Sequence, residues 1–156
     1  MSLQHSYQAL AEQESIDFPT GWLQGRTIYG GLVAGLMMQK ALLTLADDTK
    51  HLLSCSVTFV GPVQQAKVRL TSEILRQGKS VTTLEVRLWQ DDAVQSILVA
   101  SFGTQRESSI HVHQEPVAPA FPSVDGLTTA PHHPLAPECF KQLDMVWVTG
   151  QYPCTA

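Results

Sequence analysis

The chain has 156 residues, 44% hydrophobic and 15% charged, which is enough to bury one core and hardly two. Its formal net charge is -4 and its Lys and Arg residues are scattered singly, so no basic stripe exists to follow a phosphate backbone, which excludes nucleic acid as a partner. Three cysteines at irregular spacing, and an N-terminus without a positive head and apolar stretch, argue against export and for the cytoplasm.

In chain order, residues 1 to 16 carry a weak helical pattern (Leu3, Tyr7, Leu10) that Phe18-Pro19 breaks ahead of Gly21. From Gly30 the 3.6 period is clear. Leu32, Val33, Leu36, Met37, Leu43 and Leu45 surround the helix, and only Gln39, Lys40, Thr44 and Asp47 form a narrow polar stripe, so other elements are expected to wrap it. The apolar run is too short and too often interrupted to span a bilayer, which takes about 20 residues. No membrane partner is expected.

After Asp47-Asp48 the period changes to 2. Leu53, Cys55, Val57 and Phe59 form one face of a strand, with Ser54, Ser56 and Thr58 on the other. Gly61-Pro62 ends it. Val68, Leu70 and Ile74 mark a second one-faced strand, and Gln77-Gly78-Lys79-Ser80 has the composition of a hairpin leading to a third with Leu84, Val86 and Leu88. Asp91-Asp92 turns the chain into a fourth strand, whose apolar centre Ile97 to Ala100 predicts cover on both faces and a central place in the sheet. Six of the nine prolines then fall between Pro116 and Pro137, a linker composition. Apolar residues return from Cys139 to Trp147 and Val148 before the chain stops.

One buried helix followed by four hairpin-joined strands predicts the α+β class, with an antiparallel sheet curled around a central helix. This is the hotdog arrangement. The stretches WLQGRTIYGGLVAG, SCSVTFVGPV, ILRQGKSVTTLEVRLWQD and SILVASFG, across roughly residues 20 to 106, resemble the N-terminal half of the double-hotdog acyl-CoA thioesterases. The proline-rich join and CFKQLDMVWVTGQYPCTA look like the passage to that family's second hotdog. The expected organisation is a hotdog domain over residues 1–107, a linker over 108–138 and the start of a truncated second repeat over 139–156.

The resemblance implies an acyl-CoA substrate, with its thioester carbonyl polarised at the helix start. The first N–H groups of a helix have no partner within it and sit at the positive end of its dipole. Glycines at 30 and 31 remove the Cβ atoms that would keep a carbonyl away, so their backbone amides are the candidate oxyanion site. The alternative is that the pair only lets the helix cross the sheet closely. Tyr29 either lines an acyl pocket or is core. Arg26 either meets a coenzyme A phosphate or pairs with a carboxylate, the pairing being preferred.

Hydrolysis needs a carboxylate to activate water. In single-hotdog thioesterases of the phenylacetate-pathway type it lies seven residues after the second glycine, and that place here is Met38. The resemblance implies that the acid comes from a second repeat. It leaves this chain as scaffold and channel, with Arg26, Tyr29 and Met38 as substrate-contacting candidates. A catalytically silent acyl-CoA-binding or assembly module is the competing reading.

Asp47, Asp48, Asp91, Asp92, Glu73 and Glu85 all read as solvated surface. His111, His113, His132 and His133 lack further ligands, so neither metal nor cofactor is expected. Ser108-Ser109 has no nucleophile elbow, and Cys139 has no activating base. Trp22 and Trp89 read as packing or pocket wall. The chain contains no Asn, which removes the hotdog hydratases built around an Asn-Pro step. A homodimer that imitates the missing internal pair is expected, and the tail around Trp147 is expected to be disordered or to pack on a neighbouring chain.

Overall fold

The computed structural model describes residues 2–110, 112, 116–130 and 133–150. Ser2 accepts the His5 backbone N–H at 3.3 Å and starts α1 (Leu3–Glu12), which buries Ala9 and Leu10. Two small features follow that no periodicity could announce, because each is shorter than two repeats of the pattern. They are a strand β1 (Ser15–Asp17) and a hairpin made of β2 (Leu23–Gln24) and β3 (Thr27–Ile28). Gly25 has φ +71°, the left-handed value that the first central position of a two-residue hairpin turn requires.

The long helix α2 (Gly30–Leu45) buries Leu32, Val33, Leu36, Met37 and Ala41. It packs on the sheet and on α1. It ends at Ala46, whose N–H bonds to the Leu42 carbonyl in a left-handed conformation, φ 46° and ψ 40°. The helix is not wrapped all round: Leu42 is 45% exposed and Leu43 is also exposed. One flank therefore lacks the cover that its sequence calls for.

Four strands complete the fold: β4 (His51–Phe59), β5 (Lys67–Gln77), β6 (Val81–Gln90) and β7 (Ala93–Gly103). All pairings are antiparallel, in the order β1-β5-β6-β7-β4. Asp91 and Asp92 both adopt positive φ, 49° and 60°, which matches the right-handed twist of β6 and β7. Strand β7 is interior, but the middle of the sheet is β6, and the expected cover on both faces is missing: Leu98 and Ala100 are buried against the helix while Ile97 and Val99 on the outer face are only half-buried. Leu84, Val86 and Leu88 of β6 and Leu98, Ala100 and Phe102 of β7 all face the helix and are buried. Each of these side chains except Ala100 contributes about 1.5–3 kcal/mol when fully removed from water.

The opposite face of the sheet is polar. There Arg69 lies over the Trp89 ring at 4.9 Å, Trp89 donates to Thr71 Oγ1 at 2.9 Å, and Arg87 pairs with Glu85. Trp89 is thus outer-face packing. Strand β4 closes one edge of the sheet with no neighbour beyond it among the described residues, and its apolar side chains Leu52, Leu53 and Phe59 are exposed.

The end of the chain departs from expectation. A short 3-10 helix (Glu138–Gln142) places Cys139 in the same core as α2, with Phe140 and Leu143 packed against it. An isolated bridge joins Thr129 and Val146, and the Ala130 N–H donates to the Met145 carbonyl at 2.7 Å. This segment fits because Gly21, at φ +89°, leaves room for the Gln142 amide, which stands 2.5 Å from where a Cβ would be. Cys139, Phe140 and Leu143 therefore pack on the core of the preceding domain, while Trp147 is partly exposed.

Candidate functional site at the start of the long helix

The start of α2 is held from both sides by backbone bonds. The Ile28 N–H donates to the Val63 carbonyl and the Tyr29 N–H to the Trp22 carbonyl, each at 2.9 Å. The Trp22 and Tyr29 rings stack with centroids 6.4 Å apart. The Tyr29 carbonyl accepts the Leu32 and Val33 N–H groups, at 3.0 and 3.2 Å. Among the described residues the Gly30 and Gly31 N–H groups have no hydrogen-bond partner. Tyr29, the residue before the helix, offers no side-chain cap. Two donors at the positive end of a 16-residue helix are therefore free to bind an anion or a polarised carbonyl.

Gly30 opens into a cleft of about 170 Å³ with apolar walls of Ile28, Val33, Phe59 and Val63 and polar atoms from Gln24 and Thr27. An ideal Cβ at Gly30 would stand 3.1 Å from the Phe59 ring. Gly30 thus serves close packing as well as access, and both readings of the glycine pair hold at that position. At Gly31 a Cβ would collide with the Tyr29 ring, which folds back beside it. Gly31 itself is exposed.

The remaining sequence candidates are not gathered at the cleft. Tyr29 is half-buried, packed on the core and on Trp22. Arg26 sits exposed in the β2–β3 turn, and no ion pair holds it among the described residues, contrary to the preferred carboxylate pairing. A two-residue turn points its side chains to solvent, away from the carboxylates of the sheet. Met38 lies two turns along α2, roughly 10 Å from Gly31 along the axis. It is half-buried against the core and does not line the cleft. Among the described residues no Asp or Glu lines it either.

Elsewhere the acidic residues are surface groups. Asp47 bonds to Thr49 and pairs with Lys50 at 3.2 Å, and these contacts, the Thr49 hydroxyl first, hold its carboxyl below the usual carboxylate range. Burial raises the Cys139 thiol pKa, which disfavours its thiolate. Among the described residues no three His, Cys, Asp or Glu side chains gather as a metal site; His111, His113 and His132 lie outside those residues. No helix of the described residues is long and apolar enough to cross a membrane.

Two residues at this end escape a reading by sequence. Phe59 shows only as an inward position on a strand, and Ser96 only as a small residue in an apolar run. Nothing in their spacing ties either to a glycine some thirty or more positions earlier.

A helix enclosed on one side by a curled antiparallel sheet, with unpaired amides at its start, is a hotdog domain. Residues 18–104 match the family described as acyl-CoA thioesterase N-terminal domain. That match spans more than half of the chain, and the chain belongs to this family. No curated protein matches it in sequence.

Solved structures share the fold. A Thermobifida fusca YX protein named as a candidate thioesterase II aligns at TM-score 0.66 with 18% identity, over 86% of this chain and 51% of its own. A hot dog fold protein of unknown function from Alicyclobacillus acidocaldarius aligns at 0.67 with 21% identity, over 81% and 47%. A Ralstonia eutropha JMP134 protein, named as a candidate thioesterase related to phenylacetic acid degradation, aligns at 0.53 with 20% identity, over 58% and 73%. The chain thus spans about half the length of the first two.

Proposed function

We propose that this chain is the acyl-CoA-binding first half of a thioester hydrolase, in which the Gly30 and Gly31 amides receive the thioester carbonyl. The observation that carries the reading is the pair of unpartnered N–H groups at the start of α2, where Gly30 lines a cleft, in a chain of this family. Water adding to that carbonyl builds negative charge on its oxygen. Donors fixed beforehand stabilise the charge without reorganising, and one such donor is typically worth about 10²–10³ in rate. The tetrahedral intermediate then collapses, expelling the thiol of coenzyme A and leaving the carboxylic acid.

A general base must take the proton of the attacking water. Met38 cannot, and among the described residues no carboxylate lines the cleft. The base is supplied by a second hotdog carrying an acid. Two copies of this chain bring Met38 twice, so a homodimer binds acyl-CoA without hydrolysing it, and the silent-binder reading holds for this chain by itself.

The exposed edge β4 and the bare flank of α2 support such a homodimer, because a second hotdog extends the sheet and covers both. Free Cys55 and Cys139 fit a reducing cytoplasm. Turnover of short, medium and aromatic acyl-CoAs tests the assignment. The expected result is binding with hydrolysis about 10²–10⁴ below that of a base-equipped hotdog pair. Fast hydrolysis by this chain by itself contradicts it.

A further inference from the structure

One wall of the cleft is an aromatic side chain that is more than half exposed. We propose that Phe59 is the specificity-determining residue for acyl length, its ring closing a pocket that otherwise runs from Gly30 beneath β4 to Ser96. This rests on the thioester reading of the site.

Phe59 ends β4 on the helix-facing side and is 56% exposed, although its ring lies against the start of α2. The ring is there because Gly30 has no side chain. The strand behind it is fixed, since the Val60 and Gly61 N–H groups both donate to the Gln95 carbonyl, at 2.8 and 3.0 Å. Phe59 can therefore turn about its side-chain bonds while the backbone stays in place. An exposed rotamer change of this kind is fast and needs no opening of the sheet.

What lies behind the ring is the independent observation. Ser96 is the direct cross-strand neighbour of Phe59 on the helix-facing side of β7. It is fully buried, and its Oγ is the single buried side-chain polar atom without a hydrogen-bond partner among the described residues. Buried polar groups are otherwise paired in folded proteins, so an orphan hydroxyl next to a movable ring marks an end of the site that the closed form hides.

With the ring in place the cleft measures only about 170 Å³ and is bounded by Phe59. That is room for a short acyl chain. Swinging or removing the six ring carbons extends the pocket by about that many groups and brings the Ser96 hydroxyl to its end. The natural chain therefore prefers short acyl groups, and Phe59 imposes the limit.

The test is calorimetric titration of the full chain with S-(2-oxoalkyl)-CoA ketones, which keep a carbonyl and cannot be hydrolysed, in alkyl lengths from two to ten carbons. Each methylene that fits tightens binding about fourfold. For the wild type the gain stops at about four carbons. Phe59→Ala extends it to eight or more, improving the long ketones at least tenfold and changing the shortest less than about threefold. Phe59→Trp, which keeps an aromatic on the glycine, shortens the limit instead. Adding Ser96→Ala to Phe59→Ala tightens the long hydrocarbon ketones further and leaves the short ones unchanged. An effect of Ser96→Ala on melting temperature and none on affinity refutes its place in the pocket. If all variants bind with one and the same length profile, Phe59 sets no limit and the inference falls while the thioester reading stands. If no ketone binds any of the proteins, the thioester reading falls and takes the inference with it.

Discussion

Gly30 and Gly31 are adjacent in sequence and different in duty. The first lets an aromatic ring rest on the helix, and the second is exposed, with Tyr29 folded back beside it. Both leave an N–H group unpaired at the positive end of α2. Ala46 shows the reverse case, a residue with a Cβ in a conformation that suits glycine. At φ 46° it closes the C-terminus of α2 through its bond to the Leu42 carbonyl, and the left-handed backbone costs an L-residue about 1–2 kcal/mol. Ala46→Gly is therefore expected to stabilise the chain by about 1 kcal/mol once the greater freedom of unfolded glycine is counted. Its melting temperature should rise by about 2–4 °C, with acyl-CoA affinity unchanged. A lower melting temperature would show that the cap is not strained.

The glycine pair was legible from sequence because doubled small residues before an apolar helix are conspicuous. Arg26 misled, since a charge near a helix start reads as a partner for something, while its place in a two-residue turn carries it outward. Phe59 was unreadable as a site residue. Its meaning depends on the fold bringing residue 59 onto residue 30, a tertiary fact with no local signature.

Among the elements, α2 and β4 tell the same story from two sides. The helix sequence is apolar almost all round, yet Leu42 and Leu43 face water. The strand has an apolar face, yet it forms an edge on which Leu53 is 60% exposed. A second copy that covers both predicts a concentration-dependent dimer. Cys55 lies midway along β4 and is exposed in the single chain, so its alkylation should slow as protein concentration rises through the association range. Leu42→Lys with Leu53→Lys should abolish that protection and give a monomer by light scattering, with the far-ultraviolet circular dichroism spectrum unchanged. Labelling of Cys55 at one rate at all concentrations would count against the dimer.

The strands themselves were read correctly because period-2 alternation suits a sheet with one polar face. Strands β1 to β3 were missed because two or three residues cannot display a period. The middle place went to β6 rather than β7 because the three-residue β1, which no period announces, pairs outside β5. Strand β4 precedes β5 in the chain, yet it pairs with β7 and takes the edge beyond it.

For the whole molecule, the core extends past the sheet to a segment beyond the proline-rich stretch. Cys139 is fully buried with α2 and Phe140 beside it, so the residues around it act here as part of the first domain's packing. Burial also raises its thiol pKa, which leaves little thiolate at neutral pH. Cys139 should resist alkylation in the native protein and react only when the chain unfolds, at every concentration at which Cys55 is compared. Native labelling of Cys139, read by peptide mass mapping, would mean that the segment does not dock. The linker expected over 108–138 is exposed along most of its described residues, and the segment that docks lies beyond it, where the sequence reads as the start of a second repeat. Prolines remove hydrogen-bond donors and so hide from sequence that a short apolar stretch beyond them still finds the core.

The central claim is that unpaired amides at the start of α2 receive an acyl carbonyl. The direct measurement is an amide proton–nitrogen spectrum of the isotopically labelled chain during titration with a short S-(2-oxoalkyl)-CoA ketone. Gly30 and Gly31 should shift downfield and saturate together as their N–H groups take up the carbonyl oxygen, while Leu43 to Ala46 at the far end stay fixed. Saturable binding that leaves both glycine resonances where they began would contradict the account.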